Sequence, residues 1–360
     1  MKKKENIKVL LVDDEEDFVN TLAQRLKMRE LNVDVVYDGE QALSFIRKIE
    51  PDVIVLDLKM PGLSGIEALR EIKKINPDIQ VIVLTGHGTE KDEVEARQLG
   101  GFDFLHKPAD IDVLLSKISE AYWERFEDVL NKFFLKVYTE ADFVVRTYDE
   151  LHKWGFAADN TIACVGVCRD EITQPLIGKI RDKWGEAFNL SSLAGMFFAG
   201  KTGLSAAMHH APNRDGKERY VYYALPHIAI DEEVEVGRCM RTGRGGKSIA
   251  CGALNAFQKE IAGGKINPTM DNEDVEQSLL KMRLLKEIPY GQVPGLLELT
   301  KITQTVIQVD LENSLKRLID THKSDYAVAT GIQIHGPDGN YVWPASCYVV
   351  VEGVRHEIVL

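Results

Sequence analysis

Three short stretches carry side chains that suit a soft or borderline metal: Val165-Gly-Val-Cys168-Arg-Asp170-Glu171, Tyr222-Tyr-Ala-Leu-Pro-His227-Ile228 and Ser248-Ile-Ala-Cys251-Gly-Ala253. Each places its Cys or His at the end of an apolar strand or at the start of a helix. Two thiolates and one imidazole bind zinc and leave one tetrahedral position open, the arrangement a catalytic Zn²⁺ needs. The pair His209-His210 is the competing source of the nitrogen ligand. His227 is preferred because it terminates a strong strand and lies nearer in sequence to Cys251. A strand-end Cys is more often a small buried hydrophobe than a ligand, and that is the reading of Cys164 and Cys347. Cys239 is left without a role, and His322, His335 and His356 read as surface residues.

A second set of reactive groups lies in the first third of the chain. The apolar run Ile7-Lys-Val-Leu-Leu-Val ends in Asp13-Asp14-Glu15, and Val53-Ile-Val-Leu ends in Asp57. Val81-Ile-Val-Leu ends in Thr85, and Phe102-Asp-Phe104-Leu-His leads to Lys107. Strands buried on both faces read as continuous apolar runs, and in parallel sheets ligands gather at their carboxyl ends. Clustered carboxylates suit a hard cation such as Mg²⁺, and an ammonium and a hydroxyl beside them can neutralise a phosphoryl group delivered to a carboxylate oxygen. With helical patterns between the strands, residues 7 to 120 resemble a response-regulator receiver domain. The resemblance implies a doubly wound five-stranded parallel sheet, Asp57 as phosphoacceptor, Asp13 and Asp14 as the Mg²⁺ pocket, Thr85 and Lys107 on the phosphoryl group, and Phe104 at the aromatic switch position. It also implies a sensor histidine kinase or another phosphodonor as partner.

The second half resembles the limiting-CO2-inducible protein B/C family of beta-type carbonic anhydrases. The resemblance rests on Cys168-Arg-Asp170-Glu171, Arg219-Tyr-Val-Tyr-Tyr-Ala-Leu-Pro-His227-Ile228 and Ala250-Cys251-Gly-Ala-Leu254. It implies an α/β domain that hydrates CO2 reversibly to bicarbonate, with Cys168, His227 and Cys251 on zinc and the Asp170 carboxylate beside the metal. Ordinary beta-type enzymes carry Cys-x-Asp-x-Arg, but position 172 here is Ile. The arginine that grips Asp170 must come from elsewhere. Arg169, Arg241 and Arg244 are the candidates, and Arg244 is preferred because its glycine-rich loop leads to Cys251. The competing reading is a non-catalytic signalling protein with a structural zinc and an output domain that senses bicarbonate or binds a partner.

The elements that must position these groups divide the chain into a receiver over residues 1–120, a helical connector over 121–154 and a zinc domain over 155–360. The connector is read from an aromatic stripe at helical spacing, Tyr122 to Phe134, carried on to Trp154 and stopped by Gly155. It runs either as one stalk or as two helices end to end. In the zinc domain, Met196 to Gly203 reads as a second strand and Tyr326 to Ile334 as a later one. Pro337-Asp338-Gly339 marks a hairpin turn before a closing strand pair. Gly200-Lys-Thr-Gly203 lacks the spacing of a phosphate-binding loop. The 360 residues carry a net charge of -12, which disfavours nucleic acid, and Lys2-Lys3-Lys4 reads as a solvated end. Without an apolar run of spanning length the expected setting is the cytoplasm with no membrane insertion, and five cysteines fit reduced thiols there. A homodimer is expected because both families commonly pair.

Overall fold

The computed structural model describes residues 7–86, 88–214, 216–231, 234–241, 246–337 and 339–360, with backbone alone at 125 and 127–129. Lys2–Lys4, Arg244 and Asp338 lie outside these residues. The chain separates into two compact units, Met1–Phe133 and Phe134–Leu360.

The first unit alternates strand and helix: β1 (Lys8–Val12), α1 (Glu16–Lys27), β2 (Asn32–Val36), α2 (Gly39–Ile46), β3 (Val53–Leu56), α3 (Gly65–Ile75), β4 (Gln80–Thr85), α4 (Glu90–Gln98), β5 (Asp103–His106) and α5 (Ile111–Phe133). All five strands are parallel, in the order β2-β1-β3-β4-β5. Because the winding reverses between β1 and β3, their carboxyl ends flank the crevice where such sheets bind ligands. The register pairs Val12 with Leu56, so Asp13 and Asp57 leave the sheet side by side. Helix starts are fixed by side chains that satisfy orphan backbone donors: Ser64 with Glu67 for α3, and Thr89 with Asp92 for α4, both as capping boxes. The 23 residues of α5 span about 34 Å at 1.5 Å per residue.

The second unit opens with β6 (Tyr138–Thr139) and α6 (Glu140–His152), followed by β7 (Thr161–Val167), α7 (Gln174–Trp184), β8 (Ala187–Asn189), α8 (Gly200–Met208), β9 (Asn213–Arg214), β10 (Lys217–Leu225) and β11 (His227–Ala229). Then come β12 (Arg238–Met240), β13 (Lys247–Ile249), α9 (Gly252–Ala262), α10 (Val275–Leu284), α11 (Leu296–Leu318), β14 (Ser324–His335), β15 (Asn340–Val351) and β16 (Val354–Glu357). Strands β14, β10, β7 and β8 are parallel, and β15 and β16 continue the sheet antiparallel beyond β14. Alternation along β10 feeds two cores. Tyr220, Tyr222 and Ala224 pack with Leu254, Leu280 and Leu311 on one face, while Val221, Tyr223 and Leu225 pack with Phe143, Ile180 and Trp184 on the other. Burial on both faces is why Tyr220 to Leu225 of β10 reads as an unbroken apolar run.

Two features differ from the pattern reading. Met196 to Gly203 is no strand: a 3-10 turn at Leu193–Gly195 precedes it, and α8 begins at Gly200. Ala194 and Gly195 adopt left-handed φ of 55° and 74°, and a Cβ at Gly195 would meet the Leu225 carbonyl at 2.7 Å, so the backbone turns under β10 and does not extend beside it. The aromatic run was apolar enough for a strand, yet its side chains fill the core one at a time from a bend. The helical pattern between 111 and 154 is interrupted after Phe133. Tyr138 and Thr139 pair with Val342 and Tyr341 of β15, and α6 then buries Phe143, Val144 and Leu151 in the second unit's core. Gly155, at φ 85°, follows its end.

Candidate metal centre and phosphoacceptor pocket

Strand β7 lies beside β10 with Val167 opposite Leu225, so the chain leaves both strands at the same edge. Cys168 follows immediately. On the neighbouring strand Pro226, without an N–H, interrupts the β10 ladder, and β11 continues beside β14 in the same register, with His227 opposite Gln333. Cys251 arrives from the opposite direction as the residue before α9, in a left-handed conformation with φ 52°. A non-glycine residue held there stores backbone strain. The ligand atoms of Cys168, His227 and Cys251 all lie within 4.8 Å of one another, and all three residues are buried.

His227 is oriented from behind. Its Nδ1 lies 3.1 Å from Nε2 of His335, whose own Nδ1 lies 2.8 Å from Asn340 Oδ1. The amide oxygen accepts from His335 Nδ1–H, which leaves His335 Nε2 to accept from His227 Nδ1–H. The lone pair of His227 Nε2 then faces the two thiols. That buried nitrogen has no hydrogen-bond partner among the described residues. Such a group is costly unless something satisfies it, and a cation between an imidazole and two thiolates does so. Contact with Cys251, followed by His227, pulls the Cys168 thiol down to about 4 against the cost of burial. Burial keeps His335 neutral, with its pKa down at about 3.

Asp170 lies two residues past Cys168, its Oδ2 4.0 Å from His227 Nε2. Arg241 grips it with both arms, Nη1 to Oδ1 at 2.7 Å and Nη2 to Oδ2 at 2.8 Å. The guanidinium is itself held by Ser248 Oγ at 2.8 Å and the Ile249 carbonyl at 2.9 Å, and it also contacts Glu171. Burial opposes ionisation of Asp170, but the Arg241 fork outweighs it and keeps the carboxyl well below the usual carboxylate range. Arg241, one of the three candidate arginines, thus occupies the place for which Arg244 was preferred. Arg169 is turned away to Glu276 at 2.7 Å.

The other sulfur and imidazole groups lie outside the Cys168–His227–Cys251 cluster itself. Burial pushes the Cys164 thiol up, and the Cys347 thiol up to about 12. Cys239 Sγ lies 3.7 Å from Ser248 Oγ. His209 is exposed, with Nδ1 on the Ser205 carbonyl of its own helix. His322 is exposed as expected, and His356 is half-buried against the Trp154 ring. His335 departs from the surface reading. It ends a strand flanked on both sides, by β11 and β15, and is 4% exposed. Its position just before a turn hid this, and only the centrality of β14 signals it.

In the first unit, carboxylate oxygens of Asp13, Asp14 and Asp57 lie within 4.8 Å of one another. Lys107 Nζ is 2.7 Å from Asp13 Oδ2, 2.9 Å from Glu15 Oε1 and 3.6 Å from Asp57 Oδ2. Burial raises the Asp13 pKa against the pull of Lys107, a strain that a hard cation would relieve. The Leu58 N–H donates to Asp57 Oδ1 at 2.8 Å, leaving Oδ2 toward Lys107. Thr85 ends β4, buried, and its carbonyl accepts from the Lys107 N–H at 2.9 Å. The Phe104 ring is buried, with its edge near His106.

Comparison with known proteins finds relatives for both units. The model of the family "limiting CO2-inducible proteins B/C beta carbonic anhydrases" matches residues 137–351, and that of the response regulator receiver domain matches residues 9–119. The crystal structure of limiting CO2-inducible protein LCIB is 35% identical, with a TM-score of 0.54, over 63% of this chain and 96% of its own. That of its homologue PtLCIB4, at 22% identity and TM-score 0.55 over 64% and 98%, shares the fold. The transcriptional regulatory protein FixJ of Rhizobium meliloti is 38% identical over 113 residues, 31% of this chain and 55% of FixJ. The C4-dicarboxylate transport regulator DctD of Pseudomonas aeruginosa is 38% identical over 113 residues, 31% of this chain and 24% of DctD. The chain thus spans only about a quarter to about half of the length of these two curated relatives. Its larger unit, with the cysteines and histidine gathered at one sheet edge, places the chain in the limiting-CO2-inducible protein B/C family of beta carbonic anhydrases, with a response-regulator receiver domain ahead of it.

Proposed function

We propose that the chain is a zinc carbonic anhydrase that interconverts CO2 and bicarbonate, and that phosphorylation at Asp57 regulates it. The observation that carries the catalytic reading is the buried His227 Nε2, without a hydrogen-bond partner among the described residues, facing two thiols and 4.0 Å from a carboxylate. Zn²⁺ held by Cys168, His227 and Cys251 would supply a Lewis acid that activates water for attack on CO2. The protein's own groups do the rest. Asn340 and His335 fix the imidazole in the tautomer that presents Nε2. Asp170 accepts a hydrogen bond from the attacking water and sets its direction, and the Arg241 fork keeps this carboxylate from taking the water's place. In the receiver, Mg²⁺ held by Asp13, Asp14 and Asp57 would offset phosphoryl charge, while Lys107, 3.6 Å from Asp57 Oδ2, and Thr85 would contact the group on Asp57.

The test is zinc content by elemental analysis together with CO2 hydration by the full chain, with and without a beryllofluoride phosphoryl mimic and Mg²⁺. One zinc per chain with hydration that changes when Asp57 is occupied supports the proposal. A zinc-loaded chain that hydrates CO2 no faster than buffer overturns the catalytic reading, and a rate indifferent to the mimic overturns the regulatory one.

A further inference from the structure

Glu140, the first residue of α6, is a carboxylate only 2% exposed, more than 25 residues ahead of the metal-binding stretch. Burying such a charge is expensive unless it is paired and hydrogen-bonded. One oxygen accepts from Lys179 Nζ at 2.7 Å and the other from Gln333 Nε2 at 2.6 Å. The Gln333 amide also points its nitrogen at the Thr173 carbonyl, 3.4 Å away. With an acceptor on each side, the nitrogen must face both, and Gln333 Oε1 is left buried with no partner among the described residues. An amide held in that orientation at the expense of its own oxygen is held there by the carboxylate.

The chain of contacts ends at the metal loop. Thr173 Oγ1 lies 2.7 Å from the Cys168 carbonyl and 2.8 Å from the Asp170 carbonyl, tying together the backbone of the proposed thiolate ligand and that of the water-orienting carboxylate. Gln333 is also opposite His227 in the strand register, and its N–H donates to the Pro226 carbonyl at 2.9 Å. A parallel route runs through the backbone: Thr139, the residue before Glu140, pairs with Tyr341, next to the Asn340 that begins the His335–His227 relay.

We infer that Glu140 is a positioning residue for the metal centre, acting through Gln333 and Thr173 on the Cys168–Asp170 loop, and that residues 138–140 are the point at which the chain arriving from the receiver is wired to the ligands. This rests on the proposed metal site, which the fit of Cys168, His227 and Cys251 supports.

The experiment replaces zinc by Co²⁺ in the full chain and records the visible and thiolate charge-transfer bands, which report ligand geometry independently of turnover. Glu140→Ala should shift these bands and lower kcat for CO2 hydration about tenfold, with KM little changed, as loss of an outer-shell partner does. Glu140→Gln keeps an acceptor for Gln333 while Lys179 turns to solvent, and should restore both. Gln333→Met, which breaks the link without opening a cavity, should reproduce the Glu140→Ala spectrum, so the inference stays testable should Glu140→Ala not fold. Wild-type bands in both Glu140→Ala and Gln333→Met overturn the inference. So does a Glu140→Gln spectrum as altered as that of Glu140→Ala. A wild-type chain that binds Co²⁺ with the expected bands but hydrates no CO2 refutes the enzymatic reading and leaves the positioning test standing on the spectrum. A wild-type chain that takes up no Co²⁺ overturns both.

Discussion

His227 shows how little of a ligand's behaviour is decided by the ligand itself. Which of its two ring nitrogens carries the proton is set by His335 at Nδ1, and Nε2 is left to face Cys168 and Cys251. Replacing Cys168, His227 or Cys251 by Ala should each strip the protein of stoichiometric zinc in elemental analysis, whereas His209→Ala, on an exposed side chain, should keep it. Full zinc in Cys251→Ala would sink the ligand assignment. Arg241 makes a different prediction, because it touches the carboxylate and not the metal ligands. Arg241→Ala should retain zinc and lose about 10- to 100-fold in CO2 hydration. Arg241→Lys should recover little of this, since an ammonium cannot supply the parallel pair of bonds that the guanidinium makes. Recovery to wild-type rate in the Lys variant would show that charge alone suffices.

At the scale of elements, each site is made by where strands stop. β1 and β3 stop side by side and deliver Asp13 and Asp57; β7 and β10 stop side by side and deliver Cys168 and His227. The helices that follow must begin close against those ends, and Gly65 is the tightest case: a Cβ there would stand 2.1 Å from the Asp57 carbonyl oxygen. Gly65→Ala should therefore push α3 off the phosphoacceptor strand and cost the receiver about 1–3 kcal/mol in denaturant unfolding. An unchanged midpoint would mean that α3 moves freely. β5 carries a pH-dependent contact. Burial raises the Asp103 pKa, but the Phe104 N–H and Lys117, followed by Arg97, outweigh it and leave the carboxyl lowered. A folded pKa below the unfolded value of about 3.9 stabilises the fold above that pH, and the gain is lost as pH falls through the folded value. Asp103→Asn should thus lower the receiver's stability at neutral pH, with the difference from wild type shrinking in acid. A difference constant down to about pH 2 would contradict the assignment.

For the whole molecule, the fact that matters is covalent. α5 runs without a break from Ile111 to Phe133, and five residues later the chain is already in the second unit's sheet as β6. No Gly/Ser linker separates the last receiver helix from the strand that leads to Glu140. Phosphorylation at Asp57 would exchange a singly charged carboxylate for an acyl phosphate of about −2, a net gain of about one negative charge. Small phosphodonors with Mg²⁺ should label wild type and not Asp57→Asn. A flexible Gly/Ser insertion after Glu120 should abolish the effect of a phosphoryl mimic on hydration while leaving the basal rate intact. Coupling that survives the insertion undamaged would rule out transmission along the helix.

Both candidate clusters were legible in the chain because each gathers residue types at the ends of apolar runs, and those runs are dictated by burial on both faces of a sheet. Asp13, Asp57, Thr85 and Lys107 could be read off strand by strand, as could Cys168, His227 and Cys251. The tertiary structure decided what depends on contacts between distant segments. Arg241 reaches Asp170 across 71 residues through the β12–β13 hairpin, and no local pattern ranks it above Arg169 or Arg244. His335 meets His227 across 108 residues because β14 is central, and Glu140 meets Gln333 across 193 because β6 brings the chain to β15. Residues 193–208 turn and coil where their apolar run reads as a strand, since an apolar stretch records how much must be buried but not the backbone path that buries it.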